Sequence, residues 1–402
     1  MKVLFTTPVL EHPPAGGPAL RIENSIKALS IVCELHIVTR HPRCHIGGIK
    51  AELFYRRYCK QFNYTPSVAG LLENRYLRQI QKIKRRFYNS HDDVDYILNY
   101  VDMNKIDIVW FGYGNISFSL IKEIKQIRKN LKVVCDTDSV WSRYILRELP
   151  YETDSNRRSQ IENEGREKEK EEKEWVNLCE ITTAVSEVDA DYYRKLSNKP
   201  DRVKIFSNVI DLNNYRDIPK PPPDFKKPCM YLAGTFWPQS PMEKAARWMI
   251  SEVMPIVKKT IPDIHFYIVG KGSKETLSDV NNPSITITGK LSSVLQYLCH
   301  ADVSVVPLKF ESGTRFKILE AGACGIPIVS TSLGAEGIPV TDGVDIIIAD
   351  GPDEFSQGIV KIIQDKEFGK KIANNCKCLV QDCYSIELLS KEAKEILKFI
   401  ED

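Results

Sequence analysis

The sequence predicts an α/β protein built from two doubly wound domains, and three observations carry that prediction. A short apolar strand, a glycine-bearing loop, a helical pattern and a second strand follow one another twice, over residues 2–38 and again over 230–269. Between these stretches, Pro219, Pro221, Pro222, Pro223 and Pro228 exclude both a helix and a central strand, so 219–228 reads as a semi-rigid linker. Residues 303–329 then read as strand, helix, strand. With 402 residues the chain can form two domains of about 200, each burying its own core. The first is expected over 1–218 and the second from 229.

In the first domain, residues 2–7 form an apolar strand and Gly16, Gly17 and Pro18 make the loop after it. Ile22, Ile26 and Leu29 share one face of the next helix, and 35–38 return as a strand. The two glycines are adjacent and no third follows, so this is not a dinucleotide fingerprint and NAD is not expected. The loop lies at the carboxyl edge of the first strand, and a plain turn is enough to explain it. Residues 55–100 are basic and aromatic, with Arg56, Arg57, Tyr58 and Lys60, then Lys82, Lys84, Arg85, Arg86, Phe87 and Tyr88. Exposed basic helix faces explain this most simply, and a peripheral membrane or acceptor surface is the functional alternative.

Residues 106–111 and 132–135 read as buried strands, the second running into Asp136, Thr137 and Asp138. Two carboxylates after a strand can hold a divalent cation on a diphosphate, although three residues are a weak motif. An aspartate capping the following helix is the structural alternative. Opposite charges three and four apart over 156–177 indicate a solvated helix. Residues 181–184 form a strand ending in Val185, Ser186 and Glu187, and 203–206 another, before Asn208 and Val209.

The second domain starts with the strand 230–233 and Gly234, the loop 235–241, an amphipathic helix carrying Trp248, and a strand at 265–269 ending in Gly270, Lys271 and Gly272. Its chemistry is concentrated in 307–337. Val303, Val305 and Val306 form a buried strand that yields to a loop at Pro307; Thr314 is expected to cap a helix over 315–324, and Gly325 to end it. Such a unit brings backbone N–H groups and the positive end of the helix dipole to the carboxyl edge of the sheet, where phosphates bind. Ser312, Gly313 and Thr314 lie at that edge. Gly313 permits close backbone approach, the Thr314 hydroxyl is a donor, and Arg315 and Lys317 supply charge for a diphosphate. Glu320 follows roughly 9 Å along the helix, about one nucleoside length away, where a carboxylate can accept from both ribose hydroxyls. The alternative is an ordinary solvated face with Lys317 and Glu320 paired three residues apart. A last strand at 346–349 and helices at 354–364, 370–381 and 386–400 complete the chain.

Glu320, Ala321, Ala323, Gly325, Pro327, Ile328 and Val329, with the Ser-Gly-Thr-Arg-x-Lys run of 312–317 and Gly334, Glu336 and Gly337, resemble the nucleotide-sugar signature of GT-B glycosyltransferases, specifically the large retaining family four. The resemblance implies two Rossmann-like domains facing a central cleft, with the nucleotide-sugar domain over 229–384 and a final helix, 385–402, crossing back to the first domain. It implies transfer of a sugar, of hexosyl type, from a nucleoside diphosphate sugar to a glycan, lipid-linked or other hydroxyl acceptor. Retention of configuration, no metal and a place in glycan or polysaccharide biosynthesis go with it.

Carried onto this sequence, the donor site comprises Gly16, Gly17, Gly234, Lys271, Gly289, Ser312, Gly313, Thr314, Arg315, Phe316, Lys317 and Glu320. Asp138, in the usual place of a cleft histidine, becomes a candidate acceptor-site base or orienter, and Arg315 and Lys317 stabilise the leaving diphosphate. Val185 to Glu187 and Asn208 with Val209 resemble turns of the same family. Two departures are visible. Ser312 stands where the family's first Glu would be, with Glu311 one residue out of register. Phe236, Trp237, Pro238 and Gln239 replace an expected Arg and Lys, and Lys244 comes late, which moves the charge burden to Arg315 and Lys317. A nucleotide-sugar epimerase and a non-catalytic nucleotide-sugar-binding protein are the rival functions on the same fold.

Composition bounds the rest. A chain 43% hydrophobic and 27% charged is an ordinary globular protein, and its net charge of +3 gives no case for nucleic acid. The amino terminus is too soon interrupted by Glu11 and prolines for a signal peptide, and no apolar run reaches the length of a membrane span, so a cytoplasmic location is expected, with association at the cytoplasmic membrane face open. Eleven scattered cysteines suit a reducing compartment. Cys376, Cys378 and Cys383 have no zinc spacing and read as thiols on a helix. No cofactor is expected beyond the donor substrate.

Overall fold

The computed structural model describes residues 1–69 and 91–402, so the basic stretch 82–88 lies outside the described residues. The chain forms two units, Met1–Asn208 with Ile386–Asp402, and Val209–Ser385. The Pro-rich stretch 219–228 falls within the second.

The first unit is organised by a parallel sheet of seven strands, β1 (Lys2–Thr7), β2 (Glu34–Thr39), β3 (Gln61–Tyr64), β4 (Ile108–Gly112), β5 (Lys132–Asp136), β6 (Ile181–Ala184) and β7 (Val203–Ile205). Their spatial order is β3-β2-β1-β4-β5-β6-β7, so the topology reverses between β1 and β4. Continuous apolar runs form these strands because helices cover both faces, and all five residues of β4 are buried. Gly16, at φ +97°, turns the chain into the helix Gly17–Val32, whose Ile22, Ile26 and Leu29 are buried on the sheet.

The densely charged helix Ser155–Leu178 differs from a purely solvated one. Asp154 caps it by accepting from the Arg157 amide at 2.7 Å. Ile161, Trp175 and Val176 are buried, and Glu172 is drawn in with them. That carboxylate accepts from the Ser142 amide at 3.0 Å, the Ser142 hydroxyl, and Tyr192 at 3.0 Å. A buried carboxylate needs such donors, and three neutral ones satisfy it without an ion pair. The final helix, Ile386–Glu401, packs against Gly17–Val32 and buries Leu389, Ala393 and Ile396. Glu392 on it accepts from the amide and hydroxyl of Ser207, both at 2.7 Å.

A buried ion pair ties this unit together. Arg21 pairs with Asp136 at the end of β5, both almost wholly excluded from solvent. The Arg21 guanidinium also donates to Asn208 Oδ1 at 2.8 Å and to the Phe206 carbonyl at 3.2 Å, while Thr183 donates to Asp136 at 2.7 Å.

The second unit repeats the plan with β8 (Cys229–Ala233), β9 (His265–Val269), β10 (Ile285–Ile287), β11 (Val303–Val306), β12 (Ile328–Ser330) and β13 (Ile347–Ile348). All pair in parallel in the order β10-β9-β8-β11-β12-β13, with the reversal between β8 and β11. The Pro-rich stretch is held on this unit by Phe225, stacked on Tyr267 at 4.7 Å, and by His300 Nε2, 2.7 Å from the Pro219 carbonyl. All eleven cysteines are free, and no helix among the described residues is long and apolar enough to cross a membrane.

Removing one partner of a buried ion pair leaves an uncompensated charge, so Arg21→Ala should cost about 3–5 kcal/mol, whereas the double variant Arg21→Met with Asp136→Leu should sit closer to the parent. Urea unfolding of the three proteins decides this. A single-variant loss no larger than that of a surface change, about 0.5 kcal/mol, would show the pair to be dispensable.

Candidate functional site

In an open parallel sheet, ligands bind beyond the carboxyl ends of the strands where the strand order reverses. In the second unit that position lies between β8 and β11, so the loops 234–240 and 307–315 flank it.

The loop after β11 runs through Ser312, Gly313, Thr314 and Arg315, all buried. Gly313 has φ +80°, the left-handed conformation that favours glycine. The helix that follows is Phe316–Ala323, and its N-cap is Arg315 rather than Thr314, with no side-chain cap bond. The first helical turn closes on the Arg315 carbonyl through the Ile318 amide at 3.0 Å, one residue later than the sequence suggested. At the other end Gly325, at φ +68°, donates to Gly322, and Ile326 donates to Ala321, both at 2.9 Å. Gly322 is needed for close packing, since a Cβ there would lie 2.8 Å from Val380 on the helix Lys366–Cys383.

Lys317 and Glu320 are not a solvated helix face. The Lys317 ammonium lies 3.2 Å from Met242 Sδ, and desolvation pushes its pKa down to about 8, against the opposing pull of Glu311 and Glu320. Burial pushes the Glu320 carboxyl above the usual range, countered by a hydrogen bond from Tyr215 and by the Lys317 charge. Tyr215 donates to Glu320 Oε1 at 3.0 Å and so orients the carboxylate. Sequence reading did not find Tyr215 or Met242; neither carries a motif, and each reaches the helix from a distant part of the chain. Arg315 is also buried, and its Nη2 donates to the Leu333 carbonyl at 3.3 Å.

The neighbouring loops are held by their own backbone. Gly234 donates to Val269 at 3.0 Å, Phe236 to Lys271 at 2.8 Å, and Gly270 to Gly289 at 3.1 Å. The Gly289 amide donates to Ser273 Oγ at 3.1 Å, and its carbonyl accepts from Thr288 Oγ1 at 2.9 Å as well. The backbone of Gly289 is thus engaged within the protein, while the Lys271 side chain is exposed.

In the first unit, the carboxyl ends of β1, β4 and β5 carry Gly16 and Gly17, Tyr113 and Asn115, and Asp138. Asp138 does not cap the next helix, Trp141–Leu146, whose N-cap is Val140. Its Oδ1 accepts from Asn115 Nδ2 at 2.6 Å and Trp141 Nε1 at 3.3 Å, and the Tyr113 hydroxyl donates to it as well. Burial raises the Asp138 carboxyl above the usual aspartate range despite these donors and the Arg21 charge. Tyr113 stands at φ +58°, uncommon for a bulky residue. Asp136, the other carboxylate of the triplet, is committed to Arg21 and Thr183, so the two do not form a joint cation clamp. Among the described residues no group of three or more His, Cys, Asp or Glu is placed to hold a metal ion.

This architecture is the GT-B fold. Residues 227–365, within the second unit, match the family model described as Glycosyl transferases group 1. Over essentially its whole length the chain is similar in fold to HepE from Anabaena, crystallised with UDP and glucose, at a TM-score of 0.64 and 13% identity, covering 99% of each chain. It is similar also to sucrose-phosphate synthase from Thermosynechococcus elongatus, at 0.68 and 14%, covering 99% of this chain and 98% of that one. An uncharacterized 44.6 kDa protein in the cps region of Klebsiella pneumoniae is 27% identical over 146 residues, which is 34% of this chain and 38% of that relative.

The Lys317 environment has a testable sign. Its folded-state value of about 8 lies below that of an ordinary lysine. The unfolded chain therefore binds this proton more tightly, and the contribution of Lys317 to stability rises with pH between about 8 and about 10.4. Urea unfolding across that window should show the rise in the parent and lose it in Lys317→Met. Equal slopes in both proteins would mean that the ammonium is fully solvated.

Proposed function

We propose that this protein transfers a hexosyl unit from a nucleoside diphosphate sugar to a hydroxyl acceptor on a glycan, a lipid-linked glycan or a related compound, with retention of configuration and without a metal ion, in glycan or polysaccharide biosynthesis. The observation that carries the reading is the site helix, which starts at the topological switch point of the second unit and presents Lys317 and the Tyr215-held Glu320 one turn apart. The match of 227–365 to the glycosyltransferase model, and the UDP and glucose held by the Anabaena protein of the same fold, support it.

In this reading Glu320 accepts from the ribose hydroxyls, and the segment Gly313, Thr314, Arg315 and Phe316 receives the diphosphate with its backbone N–H groups at the positive end of the helix dipole. Arg315 and Lys317 add positive charge as negative charge builds on the leaving diphosphate, the role that a divalent cation plays elsewhere. An anion arriving beside the desolvated Lys317 raises its proton affinity and fixes it in the charged form. On the acceptor side, the hydroxyl proton passes to the donor phosphate or to Asp138. The raised proton affinity of that carboxyl suits a general base better than an ordinary aspartate would.

The reading is tested by thermal unfolding with UDP-, GDP-, ADP- and dTDP-sugars, with and without EDTA. One donor class should stabilise the parent by about 2.7 kcal/mol at a hundredfold excess over Kd, regardless of EDTA, and Glu320→Ala should lose the effect. With that donor, Asp138→Asn should lower kcat by about 10²–10⁴ with donor affinity kept, and the product anomer read by NMR should match the donor. Stabilisation that vanishes with EDTA, or persists undiminished in Glu320→Ala, would overturn the assignment.

A further inference from the structure

The loop after β8 is built unlike a phosphate loop. Three of its amides are spent inside the protein: Phe236 on the Lys271 carbonyl at 2.8 Å, Trp237 on Ser240 Oγ at 3.2 Å, and Gln239 on Glu243 Oε2 at 2.6 Å. The Ser240 amide returns to the Trp237 carbonyl at 3.0 Å, and Gln239 is held at φ +63°. The loop is therefore a fixed turn. The Lys309 ammonium rests over the Trp248 ring at 4.4 Å, and that of Lys317 against Met242.

On this fixed turn Trp237 is 48% exposed, whereas Trp110 and Trp175 are fully buried and Trp248 nearly so. A lone exposed apolar side chain is unremarkable on most surfaces. This one belongs to the loop after β8, which flanks the switch point on one side as the loop leading into the site helix flanks it on the other. Met242, just beyond the turn, touches Lys317, and Lys244 lies over the Phe310 ring at 4.9 Å, so the two flanking segments are in contact. The order of groups in the ligand then fixes what reaches the mouth. With ribose at Glu320 and diphosphate at the helix start, the next group outward is the sugar. An indole recognises the C–H-rich face of a pyranose, whose partial positive charge meets the negative face of the ring.

We propose that Trp237 is a stacking platform for the hexose ring of the donor. The inference rests on the reading of the second unit as a nucleotide-sugar site. It assigns to this loop recognition of the sugar in place of recognition of the diphosphate.

The test is calorimetric titration of the parent, Trp237→Ala and Trp237→Phe with the stabilising nucleoside diphosphate and with its hexose conjugate, after circular dichroism has confirmed the fold of each variant. Trp237→Ala should bind the conjugate about tenfold more weakly with affinity for the free diphosphate unchanged, and Trp237→Phe should stay within about threefold of the parent for both. Equal losses for both ligands would place the indole on the nucleoside and overturn the inference. Unchanged donor binding, alone or with a raised acceptor KM, would overturn it as well. A parent that binds none of the nucleotides removes the reading of the site itself, and the inference with it.

Discussion

The ligand edge of the second unit depends on a steric constraint between two loops. A Cβ at Gly270 would lie 1.9 Å from the Gly234 carbonyl oxygen, and one at Gly272 would lie 2.0 Å from the Phe236 carbonyl oxygen. No side chain fits at either distance, and both glycines also have φ in the left-handed range. Only with glycine at these positions can the turn after β9 lie against the turn after β8, backbone to backbone, and accept the Phe236 amide on Lys271. The rigidity of 234–240 follows from that contact. So does the outward placement of Trp237, because Phe236 is committed to the inside.

Much of this was legible in sequence. The strands at 303–306 and 328–330, and a helix between them ended by Gly325, follow from an apolar run, a helical pattern and a glycine that terminates it. The exact cap was not, because Thr314 and Arg315 are adjacent and the choice depends on where the strand releases the chain. Lys317 and Glu320 look like a surface pair in sequence. What sets them apart from a surface pair are contacts with Met242 and Tyr215, and Tyr215 lies 105 residues from Glu320. The charged helix Ser155–Leu178 misled in the same way, since its buried Glu172 is satisfied by Ser142, thirty residues away, and by Tyr192. Patterns of period two or 3.6 report which side faces a core; they carry no information on which polar group waits there.

Burial separates charges that act from charges that decorate. Arg166 with Glu162 and Lys170 with Glu167 are close pairs on exposed helical turns, worth about 0.3–0.5 kcal/mol each at most. Lys317 and Glu320 stand in the opposite regime. Each is held partly against its charged form by desolvation, and each favours ionisation of the other. Such a pair responds strongly to a ligand, because an added phosphate or hydroxyl supplies the interaction that solvent no longer does. Tyr215 limits the cost on the carboxylate side by giving one oxygen a neutral donor, which orients Glu320 and offsets part of the upward push of burial.

Asp136 and Asp138 show the same logic on the first unit. They sit two residues apart at the end of one strand, which in sequence resembles a pair made to grip one cation. Their surroundings divide them. Asp136 is buried against Arg21 and Thr183, where its charge fastens the strand end to the helix Gly17–Val32 and, through Arg21, to Asn208. Asp138 is half-buried among the neutral donors Asn115, Trp141 and Tyr113, and its carboxyl is shifted upward. Asp136 is spent on an internal fastening, whereas a carboxyl held by neutral donors with a raised proton affinity is suited to take up a proton. The alternation of the strand end, one aspartate inward and one beyond the last strand residue, is enough to turn two identical side chains into a fastener and a candidate base.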